Sequence, residues 1–247
     1  MKWERWMWAD LRSAFSFLTI VPLGYGDSRK AGWSFTGFPL VGLFIGLLLA
    51  GTASLNLISP EITAFLTLLV WVIATGGLHL DGFGDSCDGL LATVQPERRL
   101  EIMKDPRAGS WAVVGLVLLL LGKWLLLQQV TPLLLIAVPV IGRWNLVVAA
   151  FHFPYARSSG MGAYFRDGLG WPQVLGAAAL TLVICLAVVQ QMLGTVLVFV
   201  FSTAFALLIG TWAARRLGGG LTGDVYGALC ELTELAGLLG LGIWLNG

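Results

Sequence analysis

The chain has 247 residues, of which 57% are hydrophobic and only 12% charged, and its mean hydropathy is +0.83. A soluble domain carries about 25% charged residues, so the composition excludes an ordinary soluble globule and points to lipid as the solvent. A net charge of +1 gives no sign of a nucleic-acid partner, and three scattered cysteines (Cys87, Cys185, Cys230) exclude a disulfide framework or a CxxC zinc site.

Residues 3–22 place Trp3, Trp6, Met7, Leu11, Ala14, Phe15, Leu18 and Val21 on one helical face, with Lys2, Glu4, Arg5 and Arg12 mostly between them. This predicts an amphipathic helix lying in the membrane interface and ending near Pro22. Its polar interruptions make a poor signal-peptide core. Gly24 to Ser34 reads as a polar loop with Arg29 and Lys30. Six long apolar runs follow, at about 36–57, 62–80, 111–130, 132–150, 173–193 and 195–213. Each is near the roughly 20 residues that cross a bilayer. A shorter seventh lies at about 235–245. The expected fold is all-α: a polytopic integral membrane bundle of six long transmembrane helices plus a shorter seventh, preceded by the interfacial helix. No repeat or linker divides residues 1–247, which read as one membrane-embedded domain.

Basic residues cluster before the first run, between the second and third (Arg98, Arg99, Lys104, Arg107), between the fourth and fifth (Arg157, Arg166) and after the sixth (Arg215, Arg216). The other connections contain none. The positive-inside rule then puts these loops in the cytoplasm, and every acid except Glu61 falls on the same side.

The most informative stretch runs from Gly76 to Leu90. Asp81, Asp85 and Asp88 stand at i, i+4 and i+7, so a helix would put three carboxylates on one face. Like charges repel there, and such a face suits a cation held by oxygen ligands, Mg²⁺, Mn²⁺ or Ca²⁺ rather than zinc. The ordinary alternative is a solvated cluster of capping acids. Gly82, Gly84 and Gly89 would let a bulky ligand approach the backbone. A second candidate is the glycine-rich turn at 218–220, followed by Gly223 and Asp224, then Glu231 and Glu234. It could bind phosphate at a helix N-terminus or complete a metal site with the first; alternatively it is an interhelical turn before a capped helix. Residues 96–110 form a third, in which Lys104 and Arg107 could hold phosphates and Arg98 and Arg99 read as anchoring charges. Arg143, within an apolar run, could snorkel or reach an anionic substrate, and Lys123 would need a buried partner. His79 is a possible ligand or a packed residue. Arg157-Ser158-Ser159-Gly160-Met161-Gly162 is a small-residue loop that could line a substrate cleft.

Gly76-Gly77-Leu78-His79-Leu80-Asp81-Gly82 with Asp85 and Asp88-Gly89 resembles the signature of the cobalamin synthase (adenosylcobinamide-GDP ribazoletransferase) family. Ala14, Phe17-Leu18-Thr19 and Pro22, then Phe38-Pro39-Leu40-Val41-Gly42, Met103-Lys104-Asp105-Pro106-Arg107-Ala108-Gly109, and Leu221-Thr222-Gly223-Asp224 with Glu231 extend the likeness along nearly the whole chain. Phe83, Gly84 and Cys87 depart from the family pattern without removing a carboxylate. The resemblance implies the last nucleotide-loop assembly step of adenosylcobalamin (vitamin B12) biosynthesis. Adenosylcobinamide-GDP would be joined to α-ribazole, or its 5′-phosphate, with release of GMP. Mg²⁺, with Mn²⁺ as a substitute, would be held by Asp81, Asp85, Asp88, Asp224 and Glu231. Asp88, then Glu231 and Asp85, would be the catalytic carboxylates. Lys104, Arg107, His79, Gly82, Gly89, Gly223 and Arg143 would contact substrate or phosphate. The expected setting is the cell (inner) membrane, multi-pass, with the active-site loops cytoplasmic; a homo-oligomer and other corrinoid-pathway enzymes are candidate partners.

A looser likeness to CDP-alcohol phosphotransferases rests on Asp85-x-x-Asp88-Gly89-x-x-Ala92. Thr93 stands where that family has Arg, and its second half-motif is missing. A cation or corrinoid transporter is the non-enzyme alternative; it predicts acids near the bilayer midplane and inverted repeats.

Overall fold

A computed structural model gives the positions of residues 2–25, 30–157 and 160–246; the side chains of residues 2, 3, 5 and 243–246 lie outside the description, as do Arg29, Ser158 and Ser159. Among the described residues every element is helical, and the only strand-like pairing is a single parallel bridge between Tyr155 and Leu221. Eleven α-helices follow in order: α1 (Lys2–Leu18), α2 (Phe38–Ala53), α3 (Pro60–Thr75), α4 (Leu78–Leu91), α5 (Pro96–Ile102), α6 (Ser110–Leu127), α7 (Ala137–His152), α8 (Met161–Arg166), α9 (Trp171–Val189), α10 (Met192–Arg216) and α11 (Gly223–Asn246).

The chain forms a polytopic helical bundle. Among the described residues six helical segments are long and apolar enough to cross a membrane: 31–53, 110–127, 132–152, 171–189, 192–216 and 223–242. Helix α7 is the hub. Its residues from Ala137 to Ala150 are all buried, and α2 lies close against it because glycines meet its backbone. A Cβ at Gly42 would sit 2.6 Å from Pro139 O, and one at Gly46 would sit 2.6 Å from Ile136 Cα. Small residues at such crossings let helices pack without an aqueous hydrophobic drive. Helices α6, α9 and α10 lie outside and turn residues such as Leu118, Val183 and Phe201 outward.

Four expectations are corrected in detail. The run at 62–80 is not one straight span. Gly76 and Gly77 both take left-handed backbone angles, φ 60° and 68°, and turn the chain by 90° between α3 and α4. The short run at 235–245 belongs to α11, which starts at Gly223; its early acids hid the helix in a hydropathy reading. The interfacial helix ends at Leu18, not 22. Ile20 N there bonds Ala74 O, and Val21 N bonds the Thr19 hydroxyl, which draws the chain away from helical geometry. The polar loop at 24–34 ends early, because Ala31–Gly37 is a 3₁₀ turn running directly into α2.

Candidate active site

Helices α4 and α11 cross with their backbones almost touching. A Cβ at Gly82 would lie 2.8 Å from Asp224 O and 2.9 Å from its Cα, and one at Gly227 would lie 3.2 Å from His79 Cα. The crossing brings the first acidic face against the start of α11, across some 140 residues of sequence. Asp81 and Asp85, one turn apart on α4, therefore stand beside Asp224. Asp81 is exposed and Asp85 half-buried. Neither makes a side-chain hydrogen bond or ion pair among the described residues.

A second loop closes the site. Leu221 N donates to Pro154 O at 2.9 Å and Ala156 N to Leu221 O at 2.8 Å. These bonds tie residues 154–156 to the turn before α11. They place Arg157 Nη2 2.8 Å from Asp224 Oδ2 and 3.3 Å from Met103 O. The glycine-rich turn is used up in this construction. Gly218 and Gly219 take φ 83° and 113°, Gly219 N caps α10 on Ala214 O, and a Cβ at Gly220 would meet Pro154 O at 2.7 Å. Its glycines thus shape the turn that joins α10 to α11.

Between these elements lies a cavity of about 250 Å³. Asp81, Asp224, Arg157 and His79 line one part of it, with Gly82 and Gly223 in its wall. Phe17, Phe35, Phe38 and Phe165 line the other. His79 is buried, with Nδ1 unpartnered.

The remaining expected residues go elsewhere. Asp88 leaves the acidic face: Oδ2 accepts from Gly109 N at 2.6 Å and Oδ1 from Ala112 N at 3.0 Å. It caps α6, and both oxygens are occupied. A Cβ at Gly89 would lie 2.8 Å from Met103 Sδ and 3.2 Å from Arg99 O, so Gly89 supports α5 and is not among the residues that line the cavity. Arg99 completes that joint by donating to Gly89 O at 2.9 Å and Leu90 O at 2.8 Å, the end carbonyls of α4. Lys104 and Arg107 are exposed, and Arg107 is clasped by Asp105, with Nη2 to Oδ2 at 2.7 Å. That clasp, through the guanidinium and the Arg107 backbone N–H, holds the Asp105 carboxyl down at about 2.

Glu231 and Arg143 join a buried charge cluster. Lys123 Nζ lies 2.7 Å from Glu231 Oε2 and 2.6 Å from Glu234 Oε2, while Arg143 Nη1 bonds Glu234 Oε1. Lys123 also sits 3.9 Å from the centre of the Trp71 ring. Two cations and two anions from α6, α7 and α11 balance one another, which is how charge survives inside a span. Lys123 thus has the partner its depth requires. Arg143 neither snorkels nor reaches the cavity, because it is fully buried. Arg157 lines the cavity together with Gly160, Met161 and Gly162, as expected of a small-residue loop that could line a cleft.

Among the described residues no group of three or more His, Cys, Asp or Glu side chains is gathered closely enough to hold a metal ion by itself. Mg²⁺ seldom needs such a cage, since it is bound by one or two carboxylates together with substrate phosphates and water. The uncommitted Asp81 and Asp85 carboxylates, hard oxygen donors beside Asp224, fit that manner of binding. Glu231 is instead paired with Lys123, and Asp88 accepts two amides at the start of α6.

Comparison with known proteins now decides the family. The cobalamin-5-phosphate synthase family model matches residues 10–242. The chain belongs to the cobalamin-5-phosphate synthase family. It is 40% identical to a Desulfitobacterium hafniense (strain Y51) protein named adenosylcobinamide-GDP ribazoletransferase, over 92% of this chain and 94% of that one. Proteins of the same name from Pseudomonas putida (strain GB-1) and Chlorobaculum tepidum are 41% and 36% identical. The first alignment covers 94% of this chain and 98% of the relative; the second covers 98% of each. No solved structure matches. As a member of the cobalamin-5-phosphate synthase family the chain is a transferase, and its apolar helices make it a multi-pass membrane protein.

Proposed function

We propose that the protein joins adenosylcobinamide-GDP to α-ribazole, or to its 5′-phosphate, and releases GMP, at the cytoplasmic face of the inner membrane. The observation that supports this reading best is the pair of uncommitted carboxylates set against Asp224 at the Gly82 crossing: Asp81, which lines the cavity, and Asp85 one turn further along α4. The name shared by the relatives supports the substrates, and the one-sided distribution of Lys and Arg supports the sidedness.

In the reaction a ribose hydroxyl oxygen attacks the phosphorus bonded to the cobinamide side-chain oxygen. A P–O bond forms, the P–O bond to the GMP phosphate breaks, and GMP leaves with the electron pair. Such transfers depend on positioning and on spreading negative charge. Asp81 and Asp85 would hold Mg²⁺ together with substrate phosphates and water, and the ion when bound would neutralise pyrophosphate charge. Arg157 binds phosphate oxygens, its guanidinium suited to bidentate contact. Asp85 takes the proton of the attacking hydroxyl on a carboxylate oxygen, since it makes no side-chain bond among the described residues, whereas Asp88 accepts two amides at the start of α6 and Glu231 is paired with Lys123. The Lys123, Glu231, Glu234 and Arg143 cluster fixes α11 against α6 and α7, and so holds Asp224 in register.

Purified protein in lipid vesicles with both substrates and Mg²⁺ tests this. GMP and a cobalamin product should appear together, depend on Mg²⁺, and vanish in Asp85→Ala. A folded wild type that yields neither overturns the proposal.

A further inference from the structure

We propose that the aromatic end of the cavity seats the flat bicyclic base of the acceptor, and that Tyr226 is the specificity residue which orients it. The inference rests on the transferase reading above and adds a subsite to it.

The cavity is chemically divided. Its acidic part carries Asp81, Asp224 and Arg157. Its other part is walled by phenylalanines in contact with one another. Phe17 stacks on Phe165 with ring centres 4.2 Å apart, and Phe35 meets Phe38 at 4.4 Å. These rings come from α1, the 3₁₀ turn, α2 and α8, so four elements converge to build it. Stacked aromatic walls favour a planar ring. A space of about 250 Å³ is far too small for a corrin macrocycle.

The two remaining rings are guanine and the dimethylbenzimidazole of α-ribazole. Guanine carries donors and acceptors around most of its edge. The phenylalanine walls offer them no side-chain partner, and buried polar groups without partners are strongly disfavoured. Dimethylbenzimidazole presents an apolar methylated edge and a single free ring nitrogen. It needs one donor.

That donor is present. Tyr226 on α11 lines the cavity, is 7% exposed, and its hydroxyl has no hydrogen-bond partner among the described residues. Its ring stands 6.2 Å from that of Tyr155 and two residues along the chain from Asp224. A buried hydroxyl left open in a cavity is where a ligand atom belongs. With the base among the phenylalanines and a polar atom of the acceptor on Tyr226 Oη, the ribose is directed to the carboxylates where the phosphorus must lie.

The test is steady-state kinetics in lipid with each substrate varied in turn, together with calorimetric binding of α-ribazole. Tyr226→Phe keeps the ring and removes the donor. It should raise the KM for α-ribazole by about ten-fold, the loss of one hydrogen bond, and leave the KM for adenosylcobinamide-GDP within about two-fold. Met161→Trp, at the half-exposed rim of the same cavity, should block α-ribazole in the same selective way. Should Tyr226→Phe fail to fold, the rim variant decides alone. A rise in donor KM with the acceptor term unmoved overturns the subsite. A wild type that makes no product defeats the transferase reading instead. In that case α-ribazole binding by wild type, lost in both variants, still supports the subsite, and no binding overturns it.

Discussion

Asp88 Oδ2 accepts a hydrogen bond from the Gly109 amide at 2.6 Å, so a carboxylate on α4 caps a helix that starts 21 residues later. Its other oxygen takes the Ala112 amide. A negative charge set on the open N–H groups of a helix start is favourable for both hydrogen bonding and the helix dipole. Gly109 is required because a Cβ there would lie 2.6 Å from Asp88 Oδ1. The acidic face on α4 therefore has two trades. Asp81 and Asp85 have no side-chain partner among the described residues and carry the proposed chemistry, and Asp88 fixes the helix that carries Lys123.

The two trades separate in mutants. Asp88→Ala should cost about 1–3 kcal/mol of stability, the range for losing a charged cap, and lower turnover through displacement of α6. Asp88→Asn, which keeps one acceptor, should recover part of both. Asp85→Ala should abolish turnover with stability changed by no more than about 0.5 kcal/mol. Thermal unfolding in lipid alongside the GMP assay decides; an Asp88→Ala protein as stable as wild type would remove the capping role.

Lys123 offers a sharper stability test. Lys123→Met leaves Glu231 and Glu234 sharing Arg143 alone, in a site with no water to solvate the surplus charge. Breaking one side of a buried ion pair costs about 3–5 kcal/mol. Adding Glu231→Gln restores the charge balance and should return a large part of the loss. Unfolding midpoints of the single and double variants test it, and additive losses would show that the charges are not coupled.

The bundle was legible because continuous apolarity over some 20 residues has few other meanings. The i, i+4, i+7 spacing of Asp81, Asp85 and Asp88 likewise gave a helical acidic face. What failed was nonlocal. Nothing near Asp88 reveals that its partners are amides on α6, and nothing near Glu231 and Glu234 reveals that Lys123 and Arg143 neutralise them. The same two glutamates lowered the local hydropathy and hid the first half of α11. The 90° bend was concealed differently: Gly76 and Gly77 sit inside an apolar run, and glycine there is compatible with a straight span as well as a left-handed turn. Arg157 meets Asp224 only because residues 154–156 bond to Leu221, a pairing with no periodic signature.

Two neighbouring glycines on α4 should differ. A Cβ at Gly82 would press on the Asp224 backbone at 2.8–2.9 Å, and backbone cannot rotate aside. A Cβ at Gly84 would meet only Leu116 Cδ1 at 3.4 Å and Ala112 Cβ at 3.5 Å, ordinary contact distances. Gly82→Ala must push α4 from α11 and displace Asp81 and Asp85 from Asp224. A shift of about 1 Å at a reacting centre can cost on the order of 100-fold in rate. Gly84→Ala should keep activity within about two-fold of wild type and favour the helix by its better propensity. Equal activity of the two variants would mean that the crossing does not set the site.

The Asp105–Arg107 clasp makes a prediction about pH. Its carboxyl is held at about 2, below its ordinary 3.8, chiefly by the Arg107 guanidinium. A carboxylate with a lowered folded value contributes stability above its unfolded value and loses it as pH falls through the folded one. The contribution is therefore complete above roughly pH 5 and disappears only in strong acid. Between about pH 5 and 9 Asp105 does not titrate, so Asp105→Asn should leave the shape of the kcat/KM profile unchanged there. Both partners are open to solvent, and exposed pairs contribute little to stability, so the unfolding midpoint should also hold. The substitution does unclasp Arg107, leaving its guanidinium free in the α5–α6 connection. If that group then reaches phosphate, the KM for adenosylcobinamide-GDP falls while that for α-ribazole stays put. A new inflection in the pH profile of Asp105→Asn would show instead that the clasp is coupled to a group titrating at the cavity.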